Sequence, residues 1–262
     1  MSTLGKRVIT AVALVVAIAL VLFVLEPPAA VWFFSACLLI GCWEWSGFVT
    51  SGVWLRALYL LLGLAFAVAV LLALRSGAAP LALFVGAGIW WLLVTAGLYG
   101  REVRYSPPLV ALAGYACLLP AWVALIWLLQ EPRGAWLLIW MITIVAAADI
   151  AAYFTGKACG RRKLAPLLSP GKTIEGLIGG LLAATVVAVA GAWLLDVHWW
   201  RFVIAGPVLA AVSVVGDLTV SAAKRNAGLK DSGWVLPGHG GIMDRADSLV
   251  AVAPFFALVL SF

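Results

Sequence analysis

Residues 174–195 read IEGLIGGLLAATVVAVAGAWLL, a run in which Glu175 is the only charged side chain. About 20 apolar residues in a helix cross a hydrocarbon core of about 30 Å, because each residue adds about 1.5 Å. Similar runs occur along the chain, of which 65% is hydrophobic and 11% is charged. This composition excludes a soluble globular domain and indicates a polytopic membrane protein.

Nine such runs are predicted as transmembrane helices. Their estimated ranges are 8–25, 29–49, 55–74, 79–99, 108–129, 135–156, 174–195, 202–222 and 246–262. Proline and glycine separate several of them, as turn residues do between helices. We therefore predict an all-α polytopic fold with about nine transmembrane helices. Residues 1–133 are expected to hold about five spans, and residues 134–262 are expected to form a catalytic transmembrane region.

The positive charges indicate how the chain is oriented. Cytoplasmic loops carry the excess of Lys and Arg in membrane proteins. With a cytoplasmic N-terminus, all but three of the 17 Lys and Arg residues fall on the cytoplasmic side, the exceptions being Arg75, Arg133 and Arg201. The long loops 157–173 and 223–245 then face the cytoplasm, and the C-terminus lies on the opposite side. Orientation and contact with anionic lipids explain the net charge of +6, so no nucleic-acid partner is expected.

Acidic side chains are concentrated where the eighth and ninth predicted helices meet. Asp217, Ser221 and Lys224 are spaced to share one stripe of the eighth helix, and Asp244 and Asp247 share a face of the ninth. Mg²⁺ prefers hard oxygen ligands, usually one or two carboxylates completed by water and substrate phosphates. We predict that Asp217 and Asp244 bind Mg²⁺, with Asp247 and then Asp231 as further candidates. The alternatives are a buried ion pair for Asp217 and helix capping by Asp244.

Cations surround the turn from Pro237 to Gly241. They are Lys224, Arg225, Lys230 and Arg245. Glycine allows backbone amides to approach an anion closely, so His239, Gly240 and Gly241 are predicted to bind a phosphorylated substrate. A simple tight turn is the alternative for the glycines, and positive-inside topology is the alternative for the cations.

The remaining polar residues of interest are more isolated. Lys172 follows a glycine, but the spacing of a P-loop is not met, so Lys172 is expected to contact phosphate from an ordinary loop. Asp149, in the sixth predicted helix, is another intramembrane acid that is expected to point toward the same side. Glu44 stands between two tryptophans with no evident partner, and no role is assigned to it. Gly176 and Gly180 are predicted to serve helix packing.

A long ordered pattern resembles the signature of the phosphatidate cytidylyltransferases, also called CDP-diacylglycerol synthases. It comprises Ser221, Lys224-Arg225, Lys230-Asp231, Pro237-Gly238-His239-Gly240-Gly241, Asp244-Arg245 and Asp247. The stretches AYFTGKACGRRK (152–163) and SPGKTIEG (169–176) also resemble that family, whereas Ala223 and Ala246 replace bulkier apolar residues. The nine-helix prediction suits the family as well.

The resemblance implies transfer of a cytidylyl group from CTP to phosphatidate with Mg²⁺, giving CDP-diacylglycerol and pyrophosphate. It implies catalytic roles for Lys224, Arg225, Lys230, Asp231 and Arg245. Substrate binding is expected of Ser221, Lys172, His239, Gly240 and Gly241. The site would lie at the cytoplasmic face of the inner cell membrane, among membrane lipids, in a protein for which a homodimer is possible.

Two other functions are compatible with the composition. A CTP-dependent polyprenol kinase would keep the nucleotide and the metal, but it would release CDP instead of pyrophosphate. An ion-coupled transporter would explain intramembrane acids such as Glu44, Asp149 and Asp217. Transporters place their polar residues near the midplane in repeated halves, whereas the polar residues here gather toward one surface.

Overall fold

The structure, a computed structural model, describes residues 3–76, 80–98, 104–235 and 240–262. In that part of the chain there are nine α-helices and one hairpin of two strands. The helices are α1 (Thr3–Phe23), α2 (Pro27–Val49), α3 (Val53–Arg75), α4 (Leu81–Leu98), α5 (Pro107–Gln130), α6 (Gly134–Cys159), α7 (Ile174–Leu194), α8 (Trp199–Asn226) and α9 (Met243–Leu260). Each predicted span corresponds to one helix, with ends that differ by a few residues.

Six of the described helices are long and apolar enough to cross a membrane, namely α2, α3, α5, α6, α7 and α8. In α1 and α4 the segments Val12–Phe23 and Leu81–Gly97 are also apolar helix. The α9 helix begins with three charged residues among its first five. The chain is therefore a predominantly helical, multi-pass membrane protein, and a total of nine spans stays a prediction.

The loop 157–173 is more ordered than the sequence suggests. After α6 ends at Cys159, β1 (Lys163–Ala165) and β2 (Ser169–Thr173) pair as an antiparallel hairpin. The carboxylate of Glu175 accepts hydrogen bonds from the backbone N–H groups of Arg161 and Arg162, at 3.0 and 3.2 Å. The all-α fold class is confirmed, and this short hairpin in a loop is an addition that the sequence does not indicate, because short polar strands carry no periodic signal.

The loop 223–245 is shorter than predicted at both ends. The α8 helix continues to Asn226, so Lys224 and Arg225 lie in its last turn, where cations are favoured by the helix dipole. The α9 helix begins at Met243. The connecting segment is therefore 227–242, of which residues 236–239 lie outside the described part of the chain.

Small residues bring α6 and α7 close together. A Cβ atom added at Gly176 would lie 2.7 Å from the carbonyl oxygen of Ala152, and one at Gly180 would lie 2.9 Å from that of Ala148. The same four-residue spacing continues along α7 in three alanines that are fully buried, Ala184, Ala188 and Ala192. The packing role predicted for Gly176 and Gly180 is confirmed.

We expect Gly180→Leu to destabilise the protein by at least about 1 kcal/mol, because the larger side chain would push α7 away from the α6 backbone. Gly86→Leu is the matched control, since a Cβ atom at Gly86 in α4 would meet no atom within 4 Å. Thermal unfolding of both variants in detergent measures the difference. Equal midpoints for the two variants would contradict the close packing of α6 on α7.

A second close approach joins α8 to α9. A Cβ atom at Gly216 would lie 2.5 Å from the carbonyl oxygen of Asp247. Asp217 and Asp247 are therefore brought side by side at the end of the bundle that carries the hairpin. One hydrophobic core spans both predicted regions of the chain, with fully buried Trp45 of α2 and Phe256 of α9 in the same cluster.

Candidate active site

Most of the predicted site residues meet at one end of the helix bundle. The β2 strand, the last turns of α8 and the first turns of α9 contribute Lys172, Asp217, Ser221, Lys224, Asp244 and Asp247. Their backbone positions follow from the α6–α7 and α8–α9 packing described above. The site is thus formed by elements that are separated along the sequence and that meet at their polar ends.

Asp217 is paired with a lysine from the hairpin. The Lys172 ammonium lies 2.6 Å from Oδ2 of Asp217, with 23% and 30% of the two side chains exposed. The hydroxyl of Ser221, one turn further along α8, donates to Oδ1 of Asp217 at 3.3 Å. The ion pair that the sequence offers as an alternative for Asp217 is therefore present, and Lys172 is the partner.

Two further acids lie close to this pair. Asp247 is within electrostatic range of Asp217, Lys172 and Lys224. Asp149 of α6 is within range of Lys172 and Asp217. Three carboxylates from α6, α8 and α9 therefore lie within electrostatic range of Lys172. The structure therefore places Asp149 near Lys172 and Asp217, whereas the sequence indicated only which side of the membrane it points toward.

Asp244 accepts hydrogen bonds from three residues, Lys224, Ser232 and Gly241. Its Oδ1 lies 2.6 Å from the Lys224 ammonium, and both side chains are buried, with 7% and 12% exposed. Its Oδ2 accepts from the backbone N–H of Ser232 at 2.8 Å, from the Ser232 hydroxyl at 3.0 Å and from the backbone N–H of Gly241 at 3.0 Å. Asp244 thus ties the end of α8 and the connecting segment to the start of α9.

Glu44 completes this network from a distant part of the chain. Its Oε1 accepts from the backbone N–H of Ile242 at 3.0 Å, and its Oε2 accepts from that of Met243 at 2.9 Å. The Ser232 hydroxyl lies 2.9 Å from this Oε2 and shares its single proton between Glu44 and Asp244. An acid in an apolar helix signals a hidden partner, because a buried charge must be compensated. The sequence could not name that partner, since Ser232 is 188 positions away.

The two described glycines of the turn are needed for this packing. Gly240 has a φ of 83°, in the left-handed region that favours glycine. A Cβ atom at Gly241 would collide with the Ser232 hydroxyl and the Glu44 carboxylate. These contacts explain both glycines without a substrate, so substrate binding by Gly240 and Gly241 stays a prediction. Pro237, Gly238 and His239 lie outside the described residues.

The other predicted charged residues stay at the surface. Arg225, Lys230, Asp231 and Arg245 are exposed. Within the described ranges the ion pairs are Lys172–Asp217 and Lys224–Asp244, so none of these three cations has a carboxylate within 4 Å there. Their charge is therefore available to an anion from solution.

A large cavity of about 1550 Å³ adjoins the charged cluster. Its walls come from the ends of α2 and α4, the segment before α5, the hairpin, α7 and the face of α8 that carries Ala211, Leu218 and Ala222. These α8 positions form the stripe next to Asp217, Ser221 and Lys224. Arg104 and Arg225 also line the cavity, which is otherwise mostly apolar.

Asn226 closes one edge of this cavity. Its side-chain amide pairs with the backbone of Tyr105, accepting from the N–H at 2.9 Å and donating to the carbonyl oxygen at 3.2 Å. The segment before α5 is thereby fixed to the end of α8, next to Arg225. The cavity therefore has an apolar interior and a rim with two guanidinium groups.

The acidic side chains of the cluster provide some, but not all, of the ligands that a divalent cation needs. Within the described ranges no three His, Cys, Asp or Glu side chains form a group able to hold a metal. Asp217 and Asp247 nevertheless provide two neighbouring carboxylates, and Mg²⁺ commonly takes one or two together with water and substrate phosphates. Both oxygens of Asp217 and of Asp244 already have protein partners, so an ion at either carboxylate would have to displace one of them. Asp244 fits less well because only 7% of its side chain is exposed, against 30% for Asp217.

The sequence of this chain was compared with those of known proteins. The sequence profile described as "Cytidylyltransferase family" matches residues 5–262. The chain belongs to the cytidylyltransferase family. A phosphatidate cytidylyltransferase of Pseudomonas aeruginosa is 38% identical over 98% of this chain and 97% of its own length. The corresponding Haemophilus influenzae enzyme is 35% identical over 97% of both chains.

Other relatives match a shorter part of this cytidylyltransferase. The Synechocystis phosphatidate cytidylyltransferase is 44% identical over 134 residues, about half of each chain. The family membership expected from the residue pattern between Ser221 and Asp247 is confirmed. The full-length relatives also favour the cytidylyltransferase prediction over the polyprenol kinase and the transporter.

Proposed function

We propose that this protein transfers CMP from CTP to phosphatidate, forming CDP-diacylglycerol and pyrophosphate for phospholipid synthesis. The similarity to phosphatidate cytidylyltransferases over nearly the whole of both chains carries this proposal. Three exposed cations without carboxylate partners in the described residues, beside a pair of acids, supply what two anionic substrates require.

In this reaction a phosphate oxygen of phosphatidate attacks the α-phosphorus of CTP. A P–O bond forms there, the bond from the α-phosphorus to the bridging oxygen breaks, and pyrophosphate leaves. The attacking phosphate is already ionised near neutral pH, because its second pKa is about 6, so no strong general base is needed. The enzyme must instead align two anions and stabilise charge on the leaving group.

The charged residues divide this work. Arg225, Lys230 and Arg245 contact the phosphates from the surface, and the exposed carboxylate of Asp231 follows Lys230 in the chain. Lys224 is held in place by Asp244 and Lys172 by Asp217, so each ammonium is positioned before substrate arrives. Ser221 and the turn with His239, Gly240 and Gly241 complete the nucleotide side of the site.

Mg²⁺ is the proposed cofactor, and Asp217 and Asp247 would hold it, with Asp244 as the weaker candidate. When bound, the ion neutralises phosphate charge and favours departure of pyrophosphate. The partial exposure of Asp217, 30% of its side chain, supports binding of an ion in exchange for the Lys172 ammonium.

The proposed topology has nine spans, a cytoplasmic N-terminus and the site at the cytoplasmic face of the inner membrane. The distribution of Lys and Arg supports it, because loops at the site end of the bundle carry most of them. A site at this membrane edge takes CTP from water and phosphatidate from the bilayer. Self-association as a homodimer is a further proposal, which the mass of the detergent-solubilised protein would test.

The apolar cavity is proposed to receive the diacylglycerol part of phosphatidate. Its lining is mostly apolar, and Arg104 and Arg225 at the rim match the charge of the lipid phosphate. Its position on the α8 stripe adjacent to Asp217 directs that phosphate toward the charged cluster. Ala211 lies furthest from the charged end of α8 among the lining residues of this helix.

We expect Ala211→Phe to lower activity on long-chain phosphatidate several-fold more than on short-chain phosphatidate, because the ring shortens the apolar cavity. Val186→Phe is the matched control, since Val186 is an exposed apolar residue that does not line this cavity. Rates with phosphatidates of different acyl length measure the effect. An equal loss on all chain lengths would contradict the assignment of the cavity.

The proposed reaction is tested directly with purified protein in detergent, phosphatidate, Mg²⁺ and CTP labelled in the α-phosphate. Labelled CDP-lipid and unlabelled pyrophosphate are expected. Release of labelled CDP with phosphorylation of a lipid alcohol would instead identify the kinase, and absence of both products would overturn the proposed function.

A further inference from the structure

We propose that Glu44 is a positioning residue that fixes residues 232–233 and 241–242 of the connecting segment, with the start of α9, against α2 and thereby holds the Lys224–Asp244 pair in place. This inference rests on the proposed function of that segment in binding phosphates. Glu44 lies 3% exposed within α2, far along the chain from the charged signature. Its role is to orient other residues, because its own oxygens are occupied and face no open space for substrate.

The first support is the end of α9. The N-cap residue Ile242 provides no side-chain cap, so the first N–H groups of this helix need an acceptor from elsewhere. Glu44 accepts from two of them, those of Ile242 and Met243. A negative charge at a helix N-terminus is also favoured by the helix dipole. The start of α9 is therefore capped by α2.

The second support is the bridge through Ser232. Its hydroxyl lies 2.9 Å from Oε2 of Glu44 and 3.0 Å from Oδ2 of Asp244. The same Asp244 binds the Lys224 ammonium through its other oxygen. A continuous chain of polar contacts thus runs from Glu44 through Ser232 and Asp244 to Lys224. Displacement of the first member is transmitted to the last.

The third support is steric. A Cβ atom at Gly233 would lie 2.7 Å from Oε1 of Glu44, and one at Gly241 would collide with both of its oxygens. The segment therefore encloses the carboxylate with its backbone on two sides. Such a tight enclosure restricts the arrangement of residues 232–233 and 241–243, and a phosphate site needs its groups to be aligned in this way.

Glu44→Gln tests this role with little change in volume. The amide nitrogen replaces an acceptor by a donor opposite a backbone N–H, so at least one contact to Ile242 or Met243 is lost. We expect turnover of CTP and phosphatidate to fall about 10- to 100-fold, as for a small displacement of reacting groups. Hydrogen exchange of the amides at 240–243 should become faster, while exchange in α5 and α6 stays as in the wild type.

Ser46→Ala is the matched control in the same helix. It removes contacts of a buried hydroxyl with Trp43 and Arg56 on a face of α2 away from the segment. Its turnover should stay near that of the wild type. If Ser46→Ala and Glu44→Gln lose turnover equally, with exchange rising throughout the chain, Glu44 is only a structural residue and the inference is overturned.

A second variant keeps the test decisive if Glu44→Gln fails to fold. Ser232→Ala removes the bridge, and we expect lower turnover with faster exchange at 240–243; wild-type turnover would overturn the inference. Where both variants fold, the double variant should be no slower than the slower single one, because both interrupt the same chain of contacts. An inactive wild-type protein would refute the proposed function, whereas an active wild type with an unaffected Glu44→Gln variant refutes only the positioning role.

Discussion

Asp217→Asn is expected to reduce turnover by at least about 100-fold, the loss that follows when one group is removed from a preorganised electrostatic site. The substitution keeps the size of the side chain but removes its charge. Lys172 then loses its carboxylate partner, and the proposed Mg²⁺ site loses one of two acids. Formation of CDP-lipid from labelled CTP, measured across a Mg²⁺ titration, gives the result.

Asp196→Asn is the control for this substitution. Asp196 lies in the turn between α7 and α8, at the other end of the bundle, and its φ of 56° suits asparagine as well. Lys172→Met separates the two roles of Asp217. If the ion pair alone mattered, both variants would lose turnover equally with the same Mg²⁺ dependence. Near-normal turnover of Asp217→Asn at limiting Mg²⁺ would show that Asp217 is not a metal ligand.

Asp244→Ala is expected to abolish activity and to lower the free energy of unfolding by about 3–5 kcal/mol, the usual effect of breaking a buried ion pair. Lys224 would be left as a buried cation without its partner, and the N–H groups of Ser232 and Gly241 would lose their acceptor. Thermal unfolding in detergent with a metal chelator measures this effect without any contribution from Mg²⁺.

Glu131→Ala is the control, because Glu131 lies between α5 and α6 and belongs to neither described ion pair. The chelated condition also distinguishes the two interpretations of Asp244. A structural acid stabilises the protein without metal, so Asp244→Ala should be unstable there. Unchanged stability in chelator, with a loss of Mg²⁺ affinity, would instead support the metal role that the sequence suggested for Asp244.

The transmembrane helices could be predicted because their signal is local. Each apolar run forms a helix wherever it lies in the bilayer, since backbone hydrogen bonds must be satisfied within the segment. The stripe of Asp217, Ser221 and Lys224 follows from helical spacing alone. The packing role of Gly176 and Gly180 could also be predicted, because small residues four positions apart on a transmembrane helix allow the backbone of another helix to approach closely.

Other features depend on contacts between distant segments. The hairpin at 163–173 lacks a periodic pattern, and it is held by Glu175 and by the ion pair of Lys172 with Asp217 of α8. The pairing of Lys172 with Asp217, instead of Lys224 with Asp217, depends on where that hairpin lies. The mostly apolar cavity beside α8 is likewise enclosed by six separate elements and has no sequence signature.

Hydropathy and an ordered set of charged residues are local properties, so they are enough to identify a multi-pass helical protein of the cytidylyltransferase family. The pairing of those charges and the burial of Glu44 follow from contacts between helices that are far apart in the chain. A carboxylate in an apolar helix requires donors, but any distant N–H or hydroxyl can supply them. Which ones do so is set by the packing of α2 against α8 and α9.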